Sequence, residues 1–155
     1  MEIRVNLNGK ELRAEVTADL TLYDFLRQRG CFSVKCGCET SNCGLCTVLM
    51  ENKPVLSCST LAVRADGKKV ETLEGLQKEA EAFGAYLADE GGEQCGFCAP
   101  GLVISVIGMS REASVLTEQQ IREYLAGNLC RCSGYASQQR AIRKFLEAGK
   151  GGRVS

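Results

Sequence analysis

The chain carries ten cysteines in 155 residues, and eight of them fall into two sets of four. One set is Cys38-x4-Cys43-x2-Cys46, with Cys58 following. The other is Cys95-x2-Cys98, followed by Cys130-x-Cys132. Thiols grouped this densely constrain the fold more than any apolar pattern, because each set has to converge. Four cysteine side chains at one place bind a metal centre or form disulfides, and either one staples a half-chain too small to be stable on its core alone.

Composition narrows the choice. The 19 basic and 19 acidic residues cancel, leaving neither the basic footprint of a nucleic-acid binder nor a polybasic stretch for a membrane surface. Met1-Glu2-Ile3-Arg4 opens into alternation rather than an apolar leader, and no apolar run reaches the length of a membrane span. The expected location is the cytoplasm, where a reducing environment favours metal binding over disulfides. The absence of histidine removes the commonest general base and excludes mixed His2Cys2 ligation of an iron–sulfur centre. No phosphate-binding or dinucleotide-binding glycine motif is present.

The first 75 residues read as β-rich. Ile3, Val5 and Leu7 alternate with polar residues, and Asn8-Gly9 predicts a tight hairpin before Leu12, Ala14 and Val16. Thr21 caps a short predicted helix ending near Arg29 and Gly30. Thr47–Met50 and Val55–Cys58 are predicted to pair around Glu51–Pro54, and a last strand begins near Val70. From residue 76 the period becomes helical: Leu76, Ala80, Phe83 and Leu87; then Pro100 ahead of Leu102, Val103, Val106 and Ile107. Thr117-Glu118-Gln119-Gln120 forms a capping box opening a helix over Ile121–Asn128, and Ala141, Ile142, Phe145 and Leu146 mark a final one. The expected class is α+β, a β-grasp-like domain over 1–75 followed by a helical domain over 76–150. The glycine-rich end, 151–155, reads as a flexible tail.

The first thiol set has the plant-type ferredoxin spacing of a 2Fe–2S cluster, in which four thiolates serve two irons in pairs. A loop supplies Cys38, Cys43 and Cys46, and Cys58 returns on a later strand. The alternative is a four-cysteine zinc site, although zinc usually takes two short knuckles and fits the x4-then-x2 triple poorly. In the second set, Cys95 and Cys98 precede a helix, while Cys130 and Cys132 lie between two helices. Helix N-termini offer free N–H groups to a negative centre. Cys-x2-Cys with Cys-x-Cys suits zinc nearly as well as iron–sulfur, so on spacing alone both stay open.

Three blocks carry a resemblance. Gly37-Cys38 through Cys43-Gly44-Leu45-Cys46-Thr47-Val48, Gln94-Cys95-Gly96-Phe97-Cys98-Ala99-Pro100-Gly101, and Asn128-Leu129-Cys130-Arg131-Cys132-Ser133-Gly134-Tyr135 are similar, in order, to the motifs of the small iron–sulfur subunit of the molybdenum hydroxylases, the xanthine dehydrogenase and aldehyde oxidoreductase family. The resemblance implies a plant-ferredoxin-like N-terminal domain and a C-terminal four-helix bundle. It implies that Cys95, Cys98, Cys130 and Cys132 hold a 2Fe–2S cluster near a molybdopterin cofactor, and that Cys38, Cys43, Cys46 and Cys58 hold one near a flavin. It further implies that Gln94 and Cys132 touch the pterin.

On that resemblance the chain is an electron-transfer subunit with no complete active site of its own. A large molybdopterin-binding subunit and a medium FAD-binding subunit are its implied partners, and a purine such as xanthine is a weakly indicated substrate. Rival readings are a free-standing ferredoxin and a zinc-stabilised interaction module. Ser41 stands where the family commonly has glycine; Leu45, Ala99 and Ser133 also depart from the usual residues, and none removes a ligand. Cys31 and Cys36 match no ligand position and read as packed or loop thiols, with Cys36 as a conceivable substitute for Cys38. Arg131, between two ligands, reads equally as a steadying charge or an ordinary surface residue.

Overall fold

The computed structural model describes residues 1–112 and 116–151. Its first part is a five-stranded mixed sheet in the order β2-β1-β5-β3-β4. Strands β1 (Glu2–Leu7) and β2 (Lys10–Glu15) form an antiparallel hairpin. Asn8 and Gly9, at φ 52° and 82°, give the turn predicted for that dipeptide. Strands β3 (Thr47–Met50) and β4 (Lys53–Leu56) form a second hairpin. Strand β5 (Lys69–Glu71) joins the two, parallel to β1 and antiparallel to β3. Helix α1 (Leu22–Gln28) is capped by Thr21, whose hydroxyl accepts the Asp24 N–H, and it buries Leu22, Phe25 and Leu26 in the core beneath the sheet.

The second hairpin differs from expectation. Its turn is only Glu51-Asn52, both with positive φ, and Pro54 lies inside β4 opposite Leu49. The edge position accommodates it, since one side of an edge strand has no ladder bond to lose. Cys58 lies in a 3-10 turn, Ser57–Ser59, rather than in a strand. Ser57 explains the bend: both its amide and its hydroxyl donate to the Cys46 carbonyl, so the chain curls back as soon as β4 ends.

Four helices follow: α2 (Gln77–Asp89), α3 (Ala99–Glu112), α4 (Glu118–Tyr124) and α5 (Ala136–Gly151). The capping box at Thr117 forms with both of its hydrogen bonds, but α4 stops at Tyr124, four residues short of Asn128. Gly151 ends α5, and the rest of the expected tail, 152–155, lies outside the described residues. Every residue of α3 from Gly101 to Met109 is buried, the pattern of a helix covered on all sides. It packs on β3 and β4 on one side and on α2 on another. Phe145 of α5 meets the rings of Phe83 and Tyr86 of α2 at 5.2 and 5.8 Å.

Strand β3 serves both halves. Successive side chains of a strand point to opposite faces; Val48 enters the core with Phe25, and Leu49 enters the core with Phe83 and Ile107. At the end of α3, Arg111 ties the halves again. Its guanidinium donates to Glu71 of β5 at 2.7 Å, to Glu79 of α2 at 2.7 Å and to Asn52 of the β3–β4 turn at 2.8 Å.

Candidate metal centres

Within each predicted quartet the fold sets thiols side by side, and Cys95, Cys98, Cys130 and Cys132 line one recess. Cys38 neighbours Cys43, and Cys46 neighbours Cys58. In the second set the Cys132 and Cys95 sulfurs lie 3.6 Å apart, and Cys98 pairs with Cys130. Among the described residues no three His, Cys, Asp or Glu side chains converge as they would on one metal ion. Pairs are what a two-iron centre asks for, since each iron takes two thiolates.

The loop around Cys38 is shaped to stabilise negative sulfur. The Asn42 N–H, then the Cys43 thiol and the Thr40 and Cys43 amides, bring Cys38 down to about 6. Burial pushes Cys43 up, reinforced by its neighbour Cys38. Cys46 is driven to about 11 by burial, with the Cys58 thiol adding to it. Thiolate is the form that binds metal.

The second set shows the same logic at the helix ends. The Phe97 N–H and the Cys132 thiol lower Cys95, and Cys132 is raised by the same contact with Cys95. Burial and the Cys130 thiol push Cys98 up to about 11. Burial opposes ionisation of Cys130, but the Ser133 hydroxyl and amide outweigh it and bring it to about 7. Cys95 and Cys132 are exposed, whereas Cys98 and Cys130 are partly covered. A shallow recess is lined by all four, together with Gln94 and Gln138.

Gln94 and Cys132, singled out together in the sequence, meet directly: the Gln94 amide donates to the Cys132 carbonyl at 3.1 Å. Two further residues escaped the sequence reading. The Tyr135 hydroxyl accepts the Cys130 N–H at 3.0 Å, which its left-handed backbone (φ 72°) makes possible. Gln138, buried in α5, places its amide 3.9 Å from the Cys98 sulfur. Tyr135 closes the third motif and so had a signal; a lone glutamine in a helix had none. Cys36 is exposed and donates to the Cys38 carbonyl at 3.1 Å. Cys31 is buried in the first core, which pushes its thiol up.

The two sets adjoin. The Leu129 N–H, next to Cys130, donates to the Cys43 carbonyl at 2.9 Å. The Lys35 ammonium lies 4.9 Å from the centre of the Phe97 ring, between Cys95 and Cys98.

Comparison with known proteins agrees with this geometry. Residues 5–88 match a 2Fe-2S iron-sulfur cluster binding domain, and residues 72–143 match a second family described as a 2Fe-2S binding domain. The xanthine dehydrogenase iron-sulfur-binding subunit of Escherichia coli O157:H7 is 41% identical, over 96% of this chain and 94% of its own length. A chain in the crystal structure of quinoline 2-oxidoreductase from Pseudomonas putida 86 superposes with a TM-score of 0.87 at 36% identity, covering 99% of this chain and 98% of that one. The aldehyde oxidoreductase of Desulfovibrio gigas gives a TM-score of 0.89 at 31% identity over 99% of this chain but only 18% of its own length, so there the same unit is part of a longer polypeptide. With two matching 2Fe-2S domains and near-complete coverage of a dedicated subunit, this chain belongs to the small iron–sulfur, electron-transferring subunits of the molybdenum hydroxylase family.

Proposed function

We propose that Cys38, Cys43, Cys46 and Cys58 hold one 2Fe–2S cluster and that Cys95, Cys98, Cys130 and Cys132 hold the other. The chain then links a molybdopterin centre on a large partner to FAD on a medium partner. The observation that carries this is the convergence of Cys95, Cys98, Cys130 and Cys132 on one recess, with the Cys95 and Cys132 sulfurs 3.6 Å apart and the Ser133 N–H donating to the Cys130 sulfur at 3.4 Å. When bound, such clusters supply one-electron redox chemistry; what the protein adds is position and tuning. The exposed pair, Cys95 and Cys132, with Gln94 beside it, is the side turned to the molybdopterin partner. The covered pair, Cys98 and Cys130, faces the first set. The loop carrying Cys38 leads onward to the flavin partner.

Packing of α2 on α3 and α5, and of α4 on α5, supports reading the helical part as a four-helix bundle over 76–150, after a β-grasp domain over 1–75. Among the described residues no helix is long and apolar enough to cross a membrane, and eight free thiols destined for metal suit the reducing cytoplasm. A purine such as xanthine is the proposed substrate of the complex, supported by the name of the Escherichia coli relative; it binds a chain other than this one.

Electron paramagnetic resonance of the dithionite-reduced protein tests the reading. Two distinct rhombic signals are expected, lost together with acid-labile sulfide. A single signal, or a colourless protein containing zinc, overturns it. Oxidation of xanthine by the purified complex, in preference to aldehydes or nicotinate, tests the substrate.

A further inference from the structure

Three glycines meet where the two quartets approach each other. Gly44 directly follows Cys43, Gly101 lies in the first turn of α3 after Cys98, and Gly127 precedes the Cys130 loop. A Cβ on Gly101 would stand 2.3 Å from the Gly44 carbonyl oxygen and 3.1 Å from the Leu45 Cα. A Cβ on Gly44 would stand 2.3 Å from the Gly127 carbonyl oxygen. In the gap that these bare backbones leave, the Leu129 N–H reaches the Cys43 carbonyl at 2.9 Å. Cys43 and Cys130 are therefore joined by one carbonyl, one hydrogen bond and one residue of chain.

We infer that Gly101 is a positioning residue for electron exchange: its missing side chain sets the separation of the two cluster sites and keeps the Cys43–Leu129 bridge closed. The inference rests on the two-cluster reading above. In that exchange one electron leaves one centre as the other gains it. No bond is made or broken, so separation and the intervening covalent path govern the rate.

Gly101 is also a clean place to test the idea. Its backbone is helical, outside the left-handed region, so alanine there brings no conformational strain and is the better helix former. The added methyl would meet a backbone oxygen, which has no rotamer to escape into. Ordinary C···O contact then requires α3 and the Cys43 loop to part by about 1 Å. Gly108 is the matched control. It lies seven residues on, on the same face of α3, and a Cβ there would be 2.6 Å from the Pro54 Cγ and 3.0 Å from a Leu49 methyl. It too is closely packed, but against side chains of β3 and β4 rather than the backbone of a thiol loop.

The measurement is the dipolar frequency between the two reduced centres, read by pulsed electron paramagnetic resonance on the full chain. Gly101→Ala is expected to lower it while both signals remain, and Gly108→Ala to leave it at the wild-type value. An unchanged frequency in Gly101→Ala, or an equal fall in both variants, overturns the inference. Hydrogen exchange of the Leu129 amide in the cluster-loaded chain is the second readout, and a Gly101→Ala chain that cannot load its clusters while Gly108→Ala loads both overturns the inference, since a change of separation leaves every thiol in place. Exchange several-fold faster than in wild type and in Gly108→Ala supports the inference, and wild-type exchange overturns it. Wild-type protein lacking two signals would overturn the two-cluster reading and this inference with it, whereas an unchanged frequency with both signals present overturns this inference alone.

Discussion

The Ser41 hydroxyl oxygen lies 3.4 Å from the sulfur of Cys58. Ser41 also has a positive φ of 55°, a conformation that costs a non-glycine residue about 1 kcal/mol. The strain is offset by what the side chain reaches. With Cys58 as a thiolate, the serine O–H turns to donate to its sulfur, and such bonds favour the more negative, reduced state of a centre. Ser41→Gly is therefore expected to lower the potential of the first cluster and leave that of the second unchanged, as read by redox titration followed by electron paramagnetic resonance.

The thiols outside the quartets give a second prediction. Cys36 is engaged with the Cys38 carbonyl at 3.1 Å. Cys36→Ser should keep both signals and full iron content. Cys38→Ser should lose the first signal and keep the second. Retention of the first cluster in Cys38→Ser would show Cys36 stepping in as a ligand.

Gln94 grips the carbonyl of Cys132 at the exposed edge of the second set. Gln94→Ala should leave both clusters assembled, because no thiol is removed. In the reassembled complex, substrate should reduce the second cluster about tenfold more slowly, the usual scale for losing a group that orients a ligand. Rapid-freeze electron paramagnetic resonance separates this from a loading defect.

The Arg111 network sets an acid limit on stability. Burial opposes ionisation of Glu71, but hydrogen bonds from Lys69 and Arg111 outweigh it and hold its pKa below the ordinary 4.5. A carboxylate lowered in this way stabilises the fold fully above its ordinary value, and that contribution disappears as pH falls through the depressed one. Arg111→Met leaves Glu71 only Lys69 as a cationic partner, and should cost about 2 kcal/mol near neutrality. The deficit should shrink below pH 4.5, where wild type loses the same pairing. Urea unfolding at several pH values measures both effects.

Much of this was legible in the sequence because it is local. The Asn8-Gly9 hairpin, the Thr21 cap and the Thr117 capping box each depend on neighbours within a few residues, and all three form. The eight thiols could be grouped into two candidate sets because their spacing is itself a signal. What escaped depends on distant chain. The placement of β5 between β1 and β3 requires both hairpins at once. Pro54 looked like a turn residue until β4 proved to be an edge. Cys58 looked like part of a strand because the bend after β4 is made by Ser57 holding Cys46, eleven residues back. The need for glycine at 101 is visible only once Gly44 is beside it.

The two quartets differ in how much chain must be present before each is whole. All four thiols of the first lie between residues 38 and 58, around one hairpin. Those of the second are split, with α3 and α4 between Cys98 and Cys130. During synthesis the last thiol of the first set emerges while the helical part is still unmade, and the second set waits for α3 and α4, with only α5 still to follow. Because contacts close in sequence form ahead of remote ones, the chain reaches maturity in a built-in order: a ferredoxin-like head able to take its iron early, and a second site that closes onto it.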